Sequence, residues 1–206
     1  MNTCMILPVY YLEDPKILKR CIDSIESQTY TNFTLLIGFD GEASDDLLNI
    51  AKGIKGIKSK IITQSINNGI ASILNRLILF AFESGFELAI RMDSDDQSHP
   101  TRVELLVKAL EENPAIDIVG SYFYTCYANI KKLRKLPLTN KEIKRKFTYG
   151  ISMCHATVAF RLRFFEKSGL YLPGLGDNIE DIRLWASGFR NDAKFMNIDK
   201  PLYYVN

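Results

Sequence analysis

The first half of the chain alternates short apolar runs with longer stretches in which apolar residues recur every three or four positions. Four apolar runs have the length and composition of strands: 5–10, 35–39, 60–63 and 87–92. Each is followed by a stretch with the helical period, at 15–28, 45–52, 70–82 and 101–112. Strands that alternate with helices are typical of βαβ units, so we expect an α/β domain with a mostly parallel sheet flanked by helices.

The second half of the chain has a different pattern. A long β-prone run covers 117–127, a basic segment follows at 131–146, and a further strand is predicted at 156–160. We therefore expect a mixed sheet in one domain, whose parallel front half is 1–115 and whose rear half, 116–206, carries a second binding surface.

Composition and charge narrow the class of protein. The chain length fits a single domain, 1–206, and its 26 basic against 24 acidic residues leave a net charge of +2. That balance argues against a nucleic-acid-binding protein, which usually carries a strongly basic domain. The densest apolar stretch, 77–82, is far shorter than the roughly 20 residues of a membrane span. No basic leader precedes the first apolar run, which Pro8 interrupts, so we expect a cytoplasmic protein without a signal peptide.

Polar residues follow the carboxyl ends of the predicted strands, where parallel sheets bind their ligands. Tyr10 ends the first strand, Asp40 ends the second, and the fourth runs directly into Asp93, Asp95 and Asp96. Three carboxylates in four positions repel one another and are costly to hold together without a cation. Asp93 and Asp95 project to the same side of an extended backbone, and their oxygens suit Mg²⁺ or Mn²⁺ bound together with substrate phosphates.

The alternative for this acidic cluster is a loop before a helix, because carboxylates favour helix N-termini. Spacing alone does not separate the two interpretations. The position of the cluster directly after a buried strand favours a site for a metal and a diphosphate.

A second acidic pair, Glu180 and Asp181, lies in the segment 176–185, just before an apolar helical pattern. Taken alone, the pair favours a helix start with stabilising charges. The functional alternative is a general base for an acceptor hydroxyl, a role worth roughly 10²–10⁴-fold in rate. His155 precedes a predicted strand, and a lone histidine is more often structural than catalytic.

The basic segment is open to three interpretations. Between Lys131 and Lys146, eight of sixteen residues are Lys or Arg and one, Glu142, is acidic. A solvated amphipathic face is the simplest interpretation. Attraction to anionic lipid head groups, worth roughly 1 kcal/mol per basic residue, is the functional one. Nucleic acid is the least favoured, because the rest of the chain is neutral.

Seven short motifs occur in order along almost the whole chain: an opening strand that ends Pro8-Val9-Tyr10, a helix that ends Gln28-Thr29-Tyr30, Asp40-Gly41, Asn67-Asn68-Gly69 with Leu74-Asn75, Arg91-Met92-Asp93-Ser94-Asp95-Asp96 with Pro100 and Arg102, His155-Ala156-Thr157, and Glu180-Asp181 with Leu184-Trp185. Together they resemble the family 2 inverting glycosyltransferases of the bacterial O-antigen and capsule type. The order and spacing of the motifs are specific, although each one alone is modest.

The resemblance implies a GT-A fold, the Rossmann-like fold of nucleotide-diphospho-sugar transferases, and a metal-dependent hexosyltransferase. The front half would bind the nucleotide sugar and the rear half the acceptor. Asp95 and Asp93 would hold Mn²⁺ or Mg²⁺. Asp181 would be the catalytic base, and its neighbour Glu180, in the same catalytic pair, would hold the acceptor or a loop. Two larger groups are implied as well. The nucleotide-sugar contacts would be Pro8, Tyr10, Asp40, Asn68, Asp93 and Asp96. The acceptor or membrane contacts would be His155, Trp185, Lys131, Lys132, Arg134 and Lys135.

The resemblance also implies particular substrates and a cellular location. The donor would be UDP-galactose or UDP-glucose, and the acceptor a polyprenyl-diphosphate-linked sugar, GlcNAc-diphosphate-undecaprenol, joined by a β1,3 linkage. The enzyme would work as a peripheral protein on the cytoplasmic face of the bacterial inner membrane, touching anionic lipid and no nucleic acid. Phe39 departs from the family pattern, because many relatives have a first Asp there.

Three alternatives stay open at this stage. A sugar nucleotidyltransferase shares this style of sheet, but it normally has a Gly-rich loop after the first strand, where this chain has Tyr10-Tyr11-Leu12. A non-catalytic sugar- or lipid-binding protein of the same fold is a second. A basic membrane- or nucleic-acid-binding module, with salt-dependent binding in the absence of sugar nucleotide, is a third.

Overall fold

The computed structural model describes residues 1–128, 130–173 and 179–206. Within them, nine strands form one mixed sheet: β1 (Thr3–Tyr10), β2 (Thr34–Asp40), β3 (Lys58–Gln64), β4 (Leu88–Arg91), β5 (Gln97–Ser98), β6 (Ile118–Tyr127), β7 (Ile130–Arg134), β8 (Ala159–Arg161) and β9 (Phe195–Val205).

Seven α-helices are described in the same parts of the chain: α1 (Pro15–Glu26), α2 (Asp45–Lys52), α3 (Ile70–Glu83), α4 (Arg102–Glu112), α5 (Asn140–Phe147), α6 (Arg163–Ser168) and α7 (Glu180–Arg190). The four strands and four helices predicted for the first half are all present, with ends that differ by a few residues. Pro15 starts α1, where its missing N–H costs nothing.

The strand order is β3-β2-β1-β4-β8-β6-β9-β5, and β7 pairs with β6 outside this path, on the edge of β6 opposite β9. Strands β3, β2, β1 and β4 are parallel, so their carboxyl ends lie at one edge of the sheet. β8 joins this parallel block to the rear half through antiparallel pairs with β4 and β6. The expected mixed, mostly parallel front half and mixed rear half are confirmed.

Side-chain alternation along β1 explains why helices cover both faces of the sheet. Met5, Leu7 and Val9 pack into one apolar cluster together with α1, α2 and α4. Cys4 and Ile6 point the other way, into a second cluster with α3, α6 and α7. A strand that is buried on both faces has a continuous run of apolar residues, and this run is why β1 could be predicted from the sequence.

Two parts of the rear half differ from the sequence-based expectation. The strand predicted at 156–160 is replaced by a 3₁₀ turn, His155–Thr157, followed by the shorter β8. Thr157 closes that turn, because its backbone N–H and its hydroxyl both donate to the Cys154 carbonyl. The basic segment is also not one element, since the stretch around Pro137 separates β7 from α5.

The segment between β4 and α4 contains the short strand β5, which the sequence analysis did not predict. Gln97 and Ser98 pair with Tyr204 and Tyr203 of the last strand. A two-residue strand carries too few residues to show a period, so the pairing was not visible in the sequence. No helix in the described parts of the chain combines the length and the apolar character that a membrane crossing requires.

Gln28 fixes the end of α1 to the start of α4. Its buried amide nitrogen donates to the Ser24 carbonyl, the Ser98 hydroxyl and the His99 carbonyl. Its amide oxygen accepts the backbone N–H of Val103 in the first turn of α4, at 3.1 Å. One side chain therefore provides an acceptor for a backbone N–H at the N-terminus of α4. It also holds in place the segment that connects the acidic cluster to that helix.

Replacing Gln28 with Ala should lower the free energy of unfolding by about 1–3 kcal/mol, because it leaves buried donors and acceptors without partners. Urea unfolding followed by circular dichroism measures this loss. Ser27→Ala, an exposed change one residue earlier, should stay within about 0.5 kcal/mol of the parent. Equal effects of the two changes would contradict the anchoring role of Gln28.

Candidate active site

The carboxyl ends of β1 and β2 form a small cavity. Tyr10 and Asp40 are register partners at these ends, and the cavity they share has a volume of about 230 Å³. Its lining residues are Pro8, Val9, Tyr10, Asp40, Asn67, Gly69, Ile70 and Ile73. Three of the residues predicted to contact a nucleotide, Pro8, Tyr10 and Asp40, are thus brought together.

Asp40 also organises the loop that closes this cavity. Its carboxylate accepts the backbone N–H of Asn68 at 2.9 Å and a hydrogen bond from the Gln64 amide. The side chain of Asn68 turns away to the Ile66 carbonyl, so the cavity is lined by Asn67 in place of the predicted Asn68. Gly41 has φ of 110°, and a Cβ there would lie 2.8 Å from the Tyr11 ring, so this turn requires glycine.

Phe39 is fully buried in the apolar cluster below α1 and α2. Phe39, where this chain departs from the family pattern, is therefore a core residue. Of the two neighbours Phe39 and Asp40, only Asp40 can make a polar contact at the end of β2.

The acidic cluster after β4 holds its three carboxylates in three different environments. Asp93 is half-buried and forms an ion pair with the buried guanidinium of Arg91. Asp95 is exposed, whereas Asp96 is 4% exposed. Burial raises the pKa of Asp96 to about 7, with Asp93 and Asp95 adding to the effect. Asp95 is exposed as a residue, but partial desolvation of its carboxyl group raises its pKa, and the neighbouring Asp93 carboxylate raises it further.

The last strand, β9, fixes this cluster from the far end of the chain. The Tyr203 hydroxyl accepts the backbone N–H of Asp93 at 3.0 Å and also hydrogen-bonds the Asp96 carboxylate. The backbone N–H of Asn206 donates to Asp96 Oδ1 at 2.9 Å, and its side-chain amide donates to the Asp95 carbonyl. Sequence reasoning missed these two residues, because 110 positions separate them from the carboxylates that they hold.

A larger cavity of about 630 Å³ opens beside the cluster. It brings Asp93 and Asp96 together with Asp181 from the first turn of α7. Apolar side chains form much of its remaining wall, among them Phe123, Phe147, Ile151, Met153, Ile182 and Val205. The two acidic motifs, far apart in sequence, therefore face one space.

The Asp181 carboxyl group has a raised pKa. Burial raises its pKa and the adjacent Glu180 carboxylate raises it further, while the backbone N–H of Ile182 opposes the shift. Glu180 is half-buried in the same helical turn and is not among the residues that line the cavity. The predicted segment began at 176, and its residues 176–178 lie outside the described part of the chain.

His155 and Trp185, predicted to contact the acceptor, both line the large cavity. His155 Nε2 lies 2.7 Å from the Tyr171 hydroxyl, and burial lowers its pKa well below the ordinary value, so the ring is neutral. Trp185 is 2% exposed and packs in the aromatic cluster with Phe160 and Phe164. The tryptophan is therefore mainly a core residue that reaches the cavity wall.

Tyr171, which sequence reasoning missed, is placed by Asn75 of α3. The Asn75 amide donates to the Tyr171 carbonyl at 2.8 Å and accepts the Tyr171 N–H at 2.9 Å. The asparagine of the Leu74-Asn75 motif thus acts on the large cavity indirectly, through Tyr171 and then His155.

The basic residues predicted for acceptor or membrane contact separate into two groups. Arg134 and Lys135 line a further cavity of about 380 Å³. Lys131 and Lys132 are exposed on β7 and line none of the cavities described above, and the Lys131 ammonium lies 4.9 Å from the centre of the Tyr204 ring.

The donor set suits a divalent cation that arrives with a diphosphate. Among the described residues, no group of three or more His, Cys, Asp or Glu side chains is placed to hold a metal ion. Mg²⁺ commonly takes only one or two carboxylates together with substrate phosphates and waters. Asp95 is exposed and Asp93 lies two residues before it, so these two carboxylates could supply the protein ligands of such a cation.

Sequence comparison places these features among known proteins. The family model described as Glycosyl transferase family 2 matches residues 4–169. The amylovoran biosynthesis glycosyltransferase AmsE of Erwinia amylovora is 26% identical over 88% of this chain and 67% of its own length. An Escherichia coli UDP-Gal:alpha-D-GlcNAc-diphosphoundecaprenol beta-1,3-galactosyltransferase is 24% identical over 96% of this chain and 71% of its own length.

Comparison with solved structures shows that other proteins share this fold. The crystal structure of S. aureus TarS in complex with UDP-GlcNAc matches all of this chain with a TM-score of 0.78, at 18% identity. A mannosyltransferase from Pyrobaculum calidifontis, PcManGT, in complex with GDP-Man and Mn²⁺, matches 98% of it with a TM-score of 0.70, at 13% identity. This chain spans 58% and 56% of those two chains.

The change Tyr203→Phe should lower the free energy of unfolding by about 1–3 kcal/mol, because the backbone N–H of Asp93 loses its partner. The adjacent change Tyr204→Phe is the matched control. The Tyr204 ring stacks on Tyr124, and its hydroxyl makes no hydrogen bond among the described residues, so the effect should stay within about 0.5 kcal/mol. Urea unfolding of both variants measures the difference; a larger loss at Tyr204 would overturn the assignment.

Proposed function

The chain belongs to glycosyl transferase family 2, and we propose that it transfers a hexosyl unit from a UDP-sugar to a hydroxyl of a lipid-linked acceptor in bacterial polysaccharide synthesis. The observation that carries this proposal is the large cavity, in which Asp181 faces the carboxylates of Asp93 and Asp96. A base and a cluster that would hold the diphosphate through a cation, both in the wall of one cavity, are what a direct displacement at a sugar carbon needs.

The donor would lie along the carboxyl ends of β1, β2 and β4. The nucleoside would enter the small cavity, against Tyr10 and Asp40, and the diphosphate would reach the acidic cluster. UDP as the nucleotide is supported by TarS, which shares the fold and binds UDP-GlcNAc. The front half, 1–115, would thus be the donor half.

Asp181 would deprotonate the acceptor hydroxyl, whose oxygen attacks the anomeric carbon as the bond to the UDP oxygen breaks. One displacement inverts the configuration, so an α-linked donor gives a β-glycoside. The raised pKa of Asp181 suits a base, because a carboxylate with a higher pKa holds the abstracted proton better. Neutral His155, held by Tyr171, would line the acceptor side.

Asp95 and Asp93 would hold Mn²⁺ or Mg²⁺ together with the donor diphosphate, because they follow β4, along whose carboxyl end the proposed donor lies. Such a cation, when bound, offsets negative charge on the departing diphosphate. The Mn²⁺ complex of PcManGT, which shares the fold, supports Mn²⁺ as the first metal to test.

The acceptor half would be 116–206. A hexose such as galactose or glucose, joined β1,3 to a polyprenyl-diphosphate-linked GlcNAc, is supported by the named activity of the E. coli relative. Polysaccharide synthesis is supported by AmsE. The exposed lysines Lys131 and Lys132, with the exposed Tyr127 and Ile130 beside them on the β6–β7 hairpin, would touch the anionic cytoplasmic face of the inner membrane.

Titration calorimetry of UDP with and without Mn²⁺ tests the donor site. The parent should bind UDP more tightly in the presence of Mn²⁺, and Asp95→Ala should abolish that gain, because the cation loses its exposed ligand. Asp199→Ala, which removes an exposed carboxylate outside the cavities, should bind as the parent does. Absent or metal-independent UDP binding would favour a non-catalytic binding protein instead.

Asp181→Asn should lower kcat by about 10²–10⁴-fold and leave UDP affinity unchanged, because the amide cannot accept the proton. In the parent, the base is active only when deprotonated. Since the pKa of Asp181 is raised, kcat should rise with pH above the usual carboxyl range and then level off. Steady-state transfer assays across pH measure both effects. A variant that retains full kcat would remove Asp181 from the mechanism.

A further inference from the structure

A basic cavity adjoins the large one that contains Asp181. It has a volume of about 380 Å³ and is lined by Phe123, Leu133, Arg134, Lys135, Leu136, Lys146 and Ile151. Phe123 and Ile151 also line the large cavity, so the two spaces share a wall. The small cavity at β1 and β2 shares no lining residue with the basic one.

The two adjoining cavities carry opposite charge. The large one contains the carboxylates Asp93, Asp96 and Asp181 and no Lys or Arg. The basic one contains Arg134, Lys135 and Lys146 and no Asp or Glu. None of these three cations takes part in an ion pair among the described residues. Their charge is therefore free to meet an anion.

Two separate elements bring the cations together. Arg134 ends β7, where it is the register partner of Phe123 on β6. Lys146 comes from the last turn of α5, and its ammonium lies 4.7 Å from the centre of the Tyr149 ring. Buried Leu136 and Ile143 hold the intervening chain against the domain. The fold, and not only the local richness in Lys and Arg, thus concentrates the charge here.

We propose that this basic cavity, defined by Arg134, Lys135 and Lys146, binds the phosphate or diphosphate of the acceptor while the acceptor sugar lies in the large cavity. The proposal rests on the proposed function and specifies its acceptor as a sugar that carries phosphate next to the ring. A guanidinium matches two phosphate oxygens at once, and two ammonium groups add point charges. The shared apolar wall of Phe123 and Ile151 lies between the phosphate and the reacting hydroxyl.

A lipid head group presents the same phosphate chemistry as an acceptor diphosphate, so the test must separate the two sources. The variant of the basic cavity is the triple change Arg134→Gln, Lys135→Gln and Lys146→Gln. The matched control is Lys141→Gln, Lys144→Gln and Arg145→Gln, which removes the same number of Lys and Arg residues from exposed positions of α5 outside the cavity.

The first measurement is calorimetric titration with N-acetylglucosamine 1-phosphate and with inorganic pyrophosphate, in EDTA and without UDP. The parent and the control should bind both probes, and the cavity variant should lose roughly tenfold or more in affinity. Unphosphorylated N-acetylglucosamine should show no difference between the three proteins. Because no donor, metal or transfer step is involved, this result is independent of whether the proposed transferase activity is found.

The second measurement is flotation with phosphatidylcholine vesicles, with and without phosphatidylglycerol. Equal recovery of the cavity variant and the control, with selective loss of sugar phosphate binding in the cavity variant, supports the proposal. Equal loss of sugar phosphate affinity in both variants would show only a general charge effect and overturn it. Loss of flotation in the cavity variant with unchanged sugar phosphate affinity would overturn it in favour of a membrane contact.

Discussion

The site depends on the contacts that the buried guanidinium group of Arg102 makes with three separate parts of the chain. The side chain is fully buried, and burial lowers its pKa, so its charge must be met from within the fold. It donates to the carbonyls of Arg91, at 2.5 Å, and Ala156, at 3.0 Å, and lies 4.7 Å from the centre of the Tyr203 ring. One residue of α4 thereby joins the end of β4, the 3₁₀ turn and the last strand.

The position of the acidic cluster follows from that junction. With Tyr203 held against Arg102, its hydroxyl can meet the Asp93 N–H and the Asp96 carboxylate. The arrangement buries the Asp96 carboxyl group, where its charged form is disfavoured, and its pKa is raised for this reason. A carboxyl whose pKa is raised on folding contributes stability below its ordinary value of 3.8 and loses it as pH rises to about 7. Order at the site is thus obtained mainly against the cost of burying the Asp96 carboxyl group, and secondarily against repulsion from Asp93 and Asp95.

The sequence was most informative where one period persisted over a whole element. Helices α1 to α4 and the doubly buried strand β1 were predicted, because each carries an unbroken apolar pattern. Asp93, Asp96 and Asp181 were recognised by motif, and the structure places them around one cavity. Contacts made across long separations were not predictable, namely β5 on β9 and Asn206 on Asp96. A single sequence carries no periodic signal for residues that meet across about 110 positions of the chain.

The sheet topology also keeps the acidic side chains of the large cavity apart from the basic side chains of the adjoining cavity. β6 runs beside both the acidic and the basic cavity, and its Phe123 belongs to the walls of both. Had Arg134 or Lys146 reached Asp93 or Asp181, ion pairs would have neutralised the groups on both sides. An apolar wall between them prevents this, because charges separated by packed side chains cannot form direct hydrogen bonds. Arg134 and Lys146 therefore remain free to meet the anion of a substrate, while Asp181, which forms no ion pair among the described residues, remains free to meet its hydroxyl.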